Sequence, residues 1–274
     1  MPSSPTAVPM TPRARRALRA SGLDPSAFRG SGPNGRIVLA DINSGREKTS
    51  TPSAQRRPLS ALRRIVARRL QESKQTIPHF YVRVTVDANA LAGFYAACKG
   101  LFPCSLNDII VQASALAVSE FPAFRSRLEQ DVLVELPDAN IGLAVGLDDG
   151  VIVAPVAKAD QLGLRALAQE ARRVVALARE RRPQSPCQTV FSVSNLGMFG
   201  ADEFSAIINP PESAILAVGA LRDAGVVRDG KLAVGKALTL TLSCDHRIID
   251  GKAAAQFLAR LRTILLQPAD FLHH

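Results

Sequence analysis

Ser243-Cys244-Asp245-His246-Arg247-Ile248-Ile249-Asp250-Gly251 joins an apolar strand to a helix, and its reading decides how the chain is built. Before it, Lys236-Ala237-Leu238-Thr239-Leu240-Thr241-Leu242 alternates apolar with small polar residues, the period-two pattern of a half-buried strand. After it, residues 252–266 space Ala255, Leu258, Leu261 and Leu265 helically. His246, one of only four histidines, is thereby delivered at a strand end with the Asp250 carboxylate four residues on. A general base held there is rigid and still within reach of a substrate.

Upstream, Leu62, Ile65, Val66 and Leu70 share one helical face. Residues 80–86 alternate as a strand and residues 106–119 read as an apolar helix. The turn Asp148-Asp149-Gly150 separates two apolar runs, 141–145 and 151–156, as a hairpin does. Residues 164–181 form a basic amphipathic helix, and 189–194 and 213–219 read as strands. Helices and strands interleaved in this mixed way predict a two-layer α/β sandwich.

A chain of 274 residues, 47% apolar and 21% charged, buries one large core and leaves room for a smaller unit. No transmembrane run or basic-apolar leader is legible, so a cytoplasmic location is expected. Cys98, Cys104, Cys187 and Cys244 show no C-x-x-C spacing, and four histidines assemble no zinc constellation, so no metal is expected. The basic charge is concentrated: residues 1–75 hold 15 Lys and Arg against 4 Asp and Glu, and the remainder 19 against 20. Such a block could meet nucleic acid, an acidic membrane or an acidic protein surface. Phe28 is its only aromatic side chain, which leaves bases nothing to stack on and turns the expectation away from nucleic acid.

Residues 10–42 read as a small unit of their own. Thr11-Pro12 is an N-cap followed by proline at the first helical position, and the helix continues through Ala20 to a stop at Gly22. A second short turn covers residues 23–28, and the loop Gly30-Ser31-Gly32-Pro33-Asn34-Gly35-Arg36 precedes Ile37-Val38-Leu39-Ala40-Asp41-Ile42. No strand precedes that loop, and its glycines do not follow the dinucleotide-binding order, so phosphate binding is not expected. Residues 43–55 turn polar, with almost no apolar anchor, as a flexible linker does.

The segment around His246 resembles the H-x-x-x-D-G signature of the dihydrolipoamide acyltransferases, the E2 components of 2-oxo acid dehydrogenase complexes, which share it with chloramphenicol acetyltransferase. Arg57-Pro58-Leu59-Ser60, Glu72-Ser73-Lys74-Gln75-Thr76-Ile77-Pro78-His79-Phe80, Ser105-Leu106-Asn107-Asp108, Phe191-Ser192-Val193-Ser194-Asn195-Leu196-Gly197-Met198-Phe199-Gly200 and Ile207-Ile208-Asn209-Pro210-Pro211-Glu212 are similar to that family's segments in the family's order. The resemblance implies a chloramphenicol acetyltransferase-like α/β (α+β) two-layer sandwich over residues 56–274. It also implies that residues 10–42 are a small all-α peripheral subunit-binding domain that docks an E1 or E3 dehydrogenase. Residue matching puts Arg15, Arg19 and Arg36 on the partner-contacting positions, with Arg16 beside them as a helper or a solvated side chain.

The implied reaction moves an acyl group, acetyl as in pyruvate- or acetoin-type members, between a dihydrolipoyl thiol and coenzyme A. His246 matches the base. Ser194 matches the hydroxyl that binds the oxyanion, although alternation alone sends Ser192 and Ser194 the same way. Asp250 matches an aspartate that holds the loop, with an arginine partner expected. In the family serine and histidine of one site come from adjacent subunits, so a homotrimer or larger assembly is implied. No Asp-Lys-Ala tripeptide marks a lipoyl domain here, and the lipoyl group is expected from a separate lipoyl-bearing protein. The tail Phe271-Leu272-His273-His274 is less apolar than the one by which the family joins trimers.

Two other classes are weighed. A Ser-His-Asp hydrolase needs a G-x-S-x-G elbow, which Ser194 lacks. A non-catalytic scaffold that tethers a dehydrogenase would not need intact His246 and Ser194.

Overall fold

The structure, a computed structural model, describes residues 8–45, 57–182, 187–228 and 230–272. Residues 46–55 of the expected linker and the tail residues His273 and His274 lie outside the described residues. The chain divides into two units between Pro58 and Leu59.

In the first unit, helix α1 (Pro12–Ser21) begins where Thr11 Oγ1 accepts the Ala14 N–H at 3.3 Å. Pro12 supplies a helical φ at no hydrogen-bond cost, and Gly22 ends the helix in the left-handed region at φ 67°. Single 3₁₀ turns at Pro25–Ala27 and Pro33–Gly35 lead to α2 (Leu39–Asn43). Ala14, Leu18, Phe28 and Ile37 make the core. So small a core needs polar help, and Asp41 gives it. Its carboxylate, 1% exposed, accepts from Ser31 N at 2.9 Å, Ser31 Oγ at 2.5 Å and Val38 N at 3.0 Å. Backbone donors of that kind would recruit a phosphate if they were open; here an internal carboxylate takes them. Gly30 serves packing, since a Cβ there would lie 2.3 Å from the Gly35 carbonyl oxygen.

The second unit runs α3 (Ala61–Thr76), β1 (His79–Asp87), α4 (Asn89–Leu101), α5 (Leu106–Glu120), β2 (Ser126–Glu129), β3 (Val132–Glu135), β4 (Ile141–Leu147), β5 (Gly150–Val156) and α6 (Leu164–Arg179). It continues through β6 (Phe191–Asn195), β7 (Ala214–Val218), β8 (Arg222–Arg228), β9 (Lys231–Asp245), α7 (Gly251–Leu266) and α8 (Pro268–Phe271). The strands form one sheet in the order β1-β9-β7-β6-β4-β5, with β8 also paired to β9 and β2-β3 a separate hairpin. β4, β6 and β7 run parallel to one another, while the other pairings are antiparallel.

Helices α4 to α7 pack on one face of the sheet, giving the two layers read from the pattern. At the centre the Phe124 and Phe257 rings stack at 4.0 Å, flanked by Phe121 and Phe191. β9 sends Leu238, Leu240, Leu242 and Cys244 into this core. Its other face was expected to meet solvent, yet Thr239, Thr241 and Ser243 are also buried. The connection between β6 and β7 lies over them: Ser243 Oγ donates to the Ala206 carbonyl at 2.7 Å, and Ala206 and Ile208 pack with Ile77, Ile215 and Ala217.

Two helical faces also differ from expectation. α7 buries Ala254, Phe257, Leu258 and Leu261, and leaves Ala255 exposed, because the Asp250 cap fixes where the first turn starts. On α3, Leu62 and Val66 close over Gly150, but Ile65 and Leu70 stay 59% and 40% exposed.

Candidate active site

β9 ends at Asp245, and the turn beyond it presents His246 to solvent. Two contacts hold it. The His246 N–H donates to the Pro78 carbonyl at 3.1 Å, and the Phe80 ring lies 4.4 Å from the imidazole at a tilt of 47°. Both come from the start of β1, the neighbour of β9 in the sheet. Neither imidazole nitrogen is engaged among the described residues, so the ring is held by its backbone and one face with its proton-carrying atoms open.

The turn is shaped by Asp245. Its carboxylate, 2% exposed, accepts from Arg247 N at 3.0 Å and from Arg247 Nε and Nη2 at 2.9 and 2.6 Å. Its carbonyl accepts from Ile248 and Ile249. A bidentate guanidinium on a buried carboxylate is a strong, directional tie. The arginine expected beside Asp250 is absent among the described residues; the loop's own arginine goes to Asp245. Asp250 instead caps α7, its Oδ1 accepting the Ala253 N–H at 2.7 Å. It anchors the exit of the turn rather than the imidazole itself.

Ser194 lies near the end of β6, level with Ala217 on β7 and Thr241 on β9. Ser192 faces the same way, as alternation requires, but is fully buried, with its Oγ pressed toward Gly142. Ser194 is half-buried, and burial thus separates two hydroxyls that spacing could not. Asn195 next to it is fixed by two bonds: its Nδ2 donates to Asn107 Oδ1 at 3.1 Å, and its Oδ1 accepts from Gly197 N at 2.9 Å.

Asn107 also borders a cleft of about 720 Å³ between the α4–α5 connection and α6. Lys99, Arg172 and Arg179 line it with positive charge, beside Phe102 and Cys104. The one carboxylate there, Asp108, is occupied by Ser105, accepting from its N at 2.7 Å and its Oγ at 2.8 Å. Burial and the neighbouring Asp108 push the Cys104 thiol up to about 11, so it stays protonated and unreactive at neutral pH. The basic helix is legible in the sequence but this cleft is not, because it needs the α4–α5 connection brought against α6.

The register keeps Ser194 and His246 apart within a chain. From the row of Thr241 to His246 the strand runs on for about 17 Å, and β6 is two strands away from β9, about 10 Å. No small molecule places one reacting carbon against both groups of the same chain.

Arg15 and Arg19 sit one turn apart on the exposed side of α1, and Arg36 is also exposed. Ile37 exchanges backbone bonds with Pro9 and Thr11, at 2.9 Å each, which brings Arg36 out beside the start of α1. Among the described residues no single helix is long and apolar enough to cross a membrane, and no group of three or more His, Cys, Asp or Glu converges as metal ligands would.

Comparison with known proteins bears on both units. Residues 51–273 match the family of 2-oxoacid dehydrogenases acyltransferase (catalytic domain), and residues 8–43 match the e3 binding domain. The chain is 35% identical to the dihydrolipoyllysine-residue acetyltransferase component of the pyruvate dehydrogenase complex of Zymomonas mobilis, a match covering 96% of this chain and 66% of that protein. Among solved structures, the dihydrolipoamide acetyltransferase of Azotobacter vinelandii is 31% identical with a TM-score of 0.74, over 78% of this chain and 91% of that one. That structure was studied for the role of a serine, a histidine and an asparagine in its catalytic mechanism. The cubic core of a pyruvate dehydrogenase multienzyme complex is also 31% identical, with a TM-score of 0.75 over 79% of this chain and 93% of that one. With its sheet, its covering helices and its small N-terminal helical unit accounted for, this chain belongs to the 2-oxoacid dehydrogenase acyltransferases and carries their catalytic domain together with an E3-binding domain.

Proposed function

We propose that this chain moves an acetyl group between a dihydrolipoyl thiol and coenzyme A, as the E2 component of a pyruvate-type dehydrogenase complex in the cytoplasm. The observation that carries the reading is the open imidazole of His246, fixed by Pro78 and Phe80 at the end of β9. The serine, histidine and asparagine named for the Azotobacter enzyme stand at the same intervals along their chain as Ser194, His246 and Asp250 do here, with aspartate in the third place.

His246 takes the proton from the thiol of coenzyme A, which at a pKa of roughly 8.5 is mostly protonated at neutral pH. The sulfur adds to the thioester carbonyl of the acyl-dihydrolipoyl group. Ser194 Oγ–H donates to the oxyanion that forms. As the intermediate collapses, the bond from carbon to the lipoyl sulfur breaks and the imidazolium returns its proton to that sulfur. Lys99, Arg172 and Arg179 suit the phosphates of coenzyme A, and Asn107 with Asn195 links their cleft to Ser194. Because Ser194 and His246 of one chain stand about 20 Å apart by the strand spacings, each site takes them from two copies, and a closed symmetric assembly, a trimer in this reading, supplies every copy with a complete site. The exposed Ile65, Leu70, Met198 and Phe199 supply apolar surface for that association.

The test is transfer kinetics with acetyl-, propionyl-, isobutyryl- and succinyl-coenzyme A against dihydrolipoamide. Acetyl transfer is expected to be fastest, with succinyl slowest. No transfer from any of the four would leave a tethering scaffold as the function.

For residues 10–42 the reading is capture of an E3 or E1 dehydrogenase through Arg15, Arg19 and Arg36. Exposed guanidinium groups pair with carboxylates across an interface and speed encounter more than they deepen affinity. Changing Arg15 and Arg36 to alanine is expected to slow association by about fivefold or more and to flatten its salt dependence. Stopped-flow binding to the E3 and E1 of the source organism reads this; unchanged association with both would contradict it.

A further inference from the structure

We propose that His79 is a positioning residue for His246, and that its neutral ring is the pin that keeps the start of β1 in place beneath the catalytic imidazole. The inference rests on the reading of His246 as the base.

The two bonds of the His79 ring fix its protonation state by their polarity. Nδ1 stands 2.9 Å from the Ile77 carbonyl oxygen, which only accepts, so Nδ1 carries the hydrogen. Nε2 stands 3.1 Å from the Ile208 nitrogen, whose N–H only donates, so Nε2 is bare. The ring is a neutral bridge between two backbone segments. A second proton on Nε2 would face the Ile208 N–H and break the bridge.

What the bridge holds is the support of His246. The residue before His79, Pro78, gives the carbonyl that receives the His246 N–H, and the residue after it, Phe80, gives the ring under the imidazole. On the far side, Ile208 is fully buried, and its carbonyl accepts from Ser73 Oγ at 2.7 Å. α3, the β6–β7 connection and the start of β1 are therefore sewn together at one point. Loss of the His79 bond frees the Ile77–Pro78 segment from that anchor and lets the Pro78 carbonyl and Phe80 ring shift.

The surroundings favour the neutral ring. Burial pushes His79 below the ordinary histidine value, and Lys74 on α3 pushes the same way. The Ile77 carbonyl and Asp245 on β9 oppose this, but the Asp245 carboxylate is engaged by Arg247. Tyr81, 6.2 Å away ring to ring, is a further titratable neighbour, and residues 204–209 of the β6–β7 connection bring none. With a depressed value in the fold, the bridge is intact at and above neutral pH and is lost as pH falls through that value. Acid then disables the site by unpinning His246.

The experiment is the pH profile of kcat for acetyl transfer in the assembled parent, His79→Gln and His79→Ala proteins, with His246→Ala as control. The glutamine amide in the first variant would present an oxygen to the Ile208 N–H without titrating. The parent is expected to lose kcat more steeply on the acid side than His79→Gln, whose kcat near pH ~8 stays within about threefold of the parent. His79→Ala is expected to lower kcat about tenfold or more at and above neutral pH, with the deficit shrinking in acid where the parent has lost the same bond, while the KM for coenzyme A changes less than about twofold. An acid limb equally steep in the parent and His79→Gln, or a parent-like kcat in His79→Ala near pH ~8, would overturn the proposal. Should His79→Ala not assemble, the His79→Gln slope decides. A His246→Ala protein that stays active defeats the base assignment instead, and the two failures are distinct.

Discussion

Replacing His246 with alanine is expected to abolish acetyl transfer, lowering kcat by about 100- to 10,000-fold, the share that general base catalysis usually supplies. The ring is exposed, and its one ring contact among the described residues is the half-buried Phe80, so little packing goes with it. The backbone bond to Pro78 does not depend on the side chain. Thermal unfolding and sedimentation of the variant should therefore match the parent, while single-turnover transfer from acetyl-coenzyme A to dihydrolipoamide collapses. A loss below about tenfold would mean that the thiol reaches its reactive form without this imidazole.

Ser194→Ala follows with about 100- to 1,000-fold in kcat, the usual cost of one oxyanion donor. The hydroxyl is needed only once charge has built on the oxygen, so KM for either thiol substrate stays near the parent value. Steady-state kinetics on the assembled variant separate the two parameters. A rise in KM at constant kcat would make Ser194 a ground-state contact and leave the oxyanion without its donor. Ser192→Ala is the useful companion: that hydroxyl is fully buried, and its loss bears on packing near Gly142 rather than on turnover.

The sequence made the sheet and its covering helices legible because period two and period 3.6 differ most where strands and helices are long, as in β9, α5 and α6. It was silent on α4, on the β2-β3 hairpin and on β8, where the apolar spacing is irregular or the strand is short. The burial of Thr239, Thr241 and Ser243 was misread for a physical reason: a polar alternate face is ordinarily a wet one, and only the fold brings residues 204–209 across it. The same limit applied at the site. His246 stood out because a strand and a helix bracket it. The arginine was expected on Asp250 and pairs with Asp245, since the turn between them has no periodicity to fix its path. His79 gave no signal, because its second partner, Ile208, lies 129 residues away and the bond is to backbone, which leaves no mark in side-chain type.

The claim on which the mechanism stands is that each site draws Ser194 from one chain and His246 from another. Mixing answers it directly. Ser194→Ala and His246→Ala chains, each nearly inactive alone, are co-expressed in equal amounts, and the mixed assemblies are assayed for acetyl transfer. A shared site predicts recovery to roughly a quarter of the parent rate, the fraction of pairings in a randomly mixed symmetric trimer that unite an intact serine with an intact histidine. Activity no greater than that of the two variants alone would contradict it and place the whole reaction within a single chain.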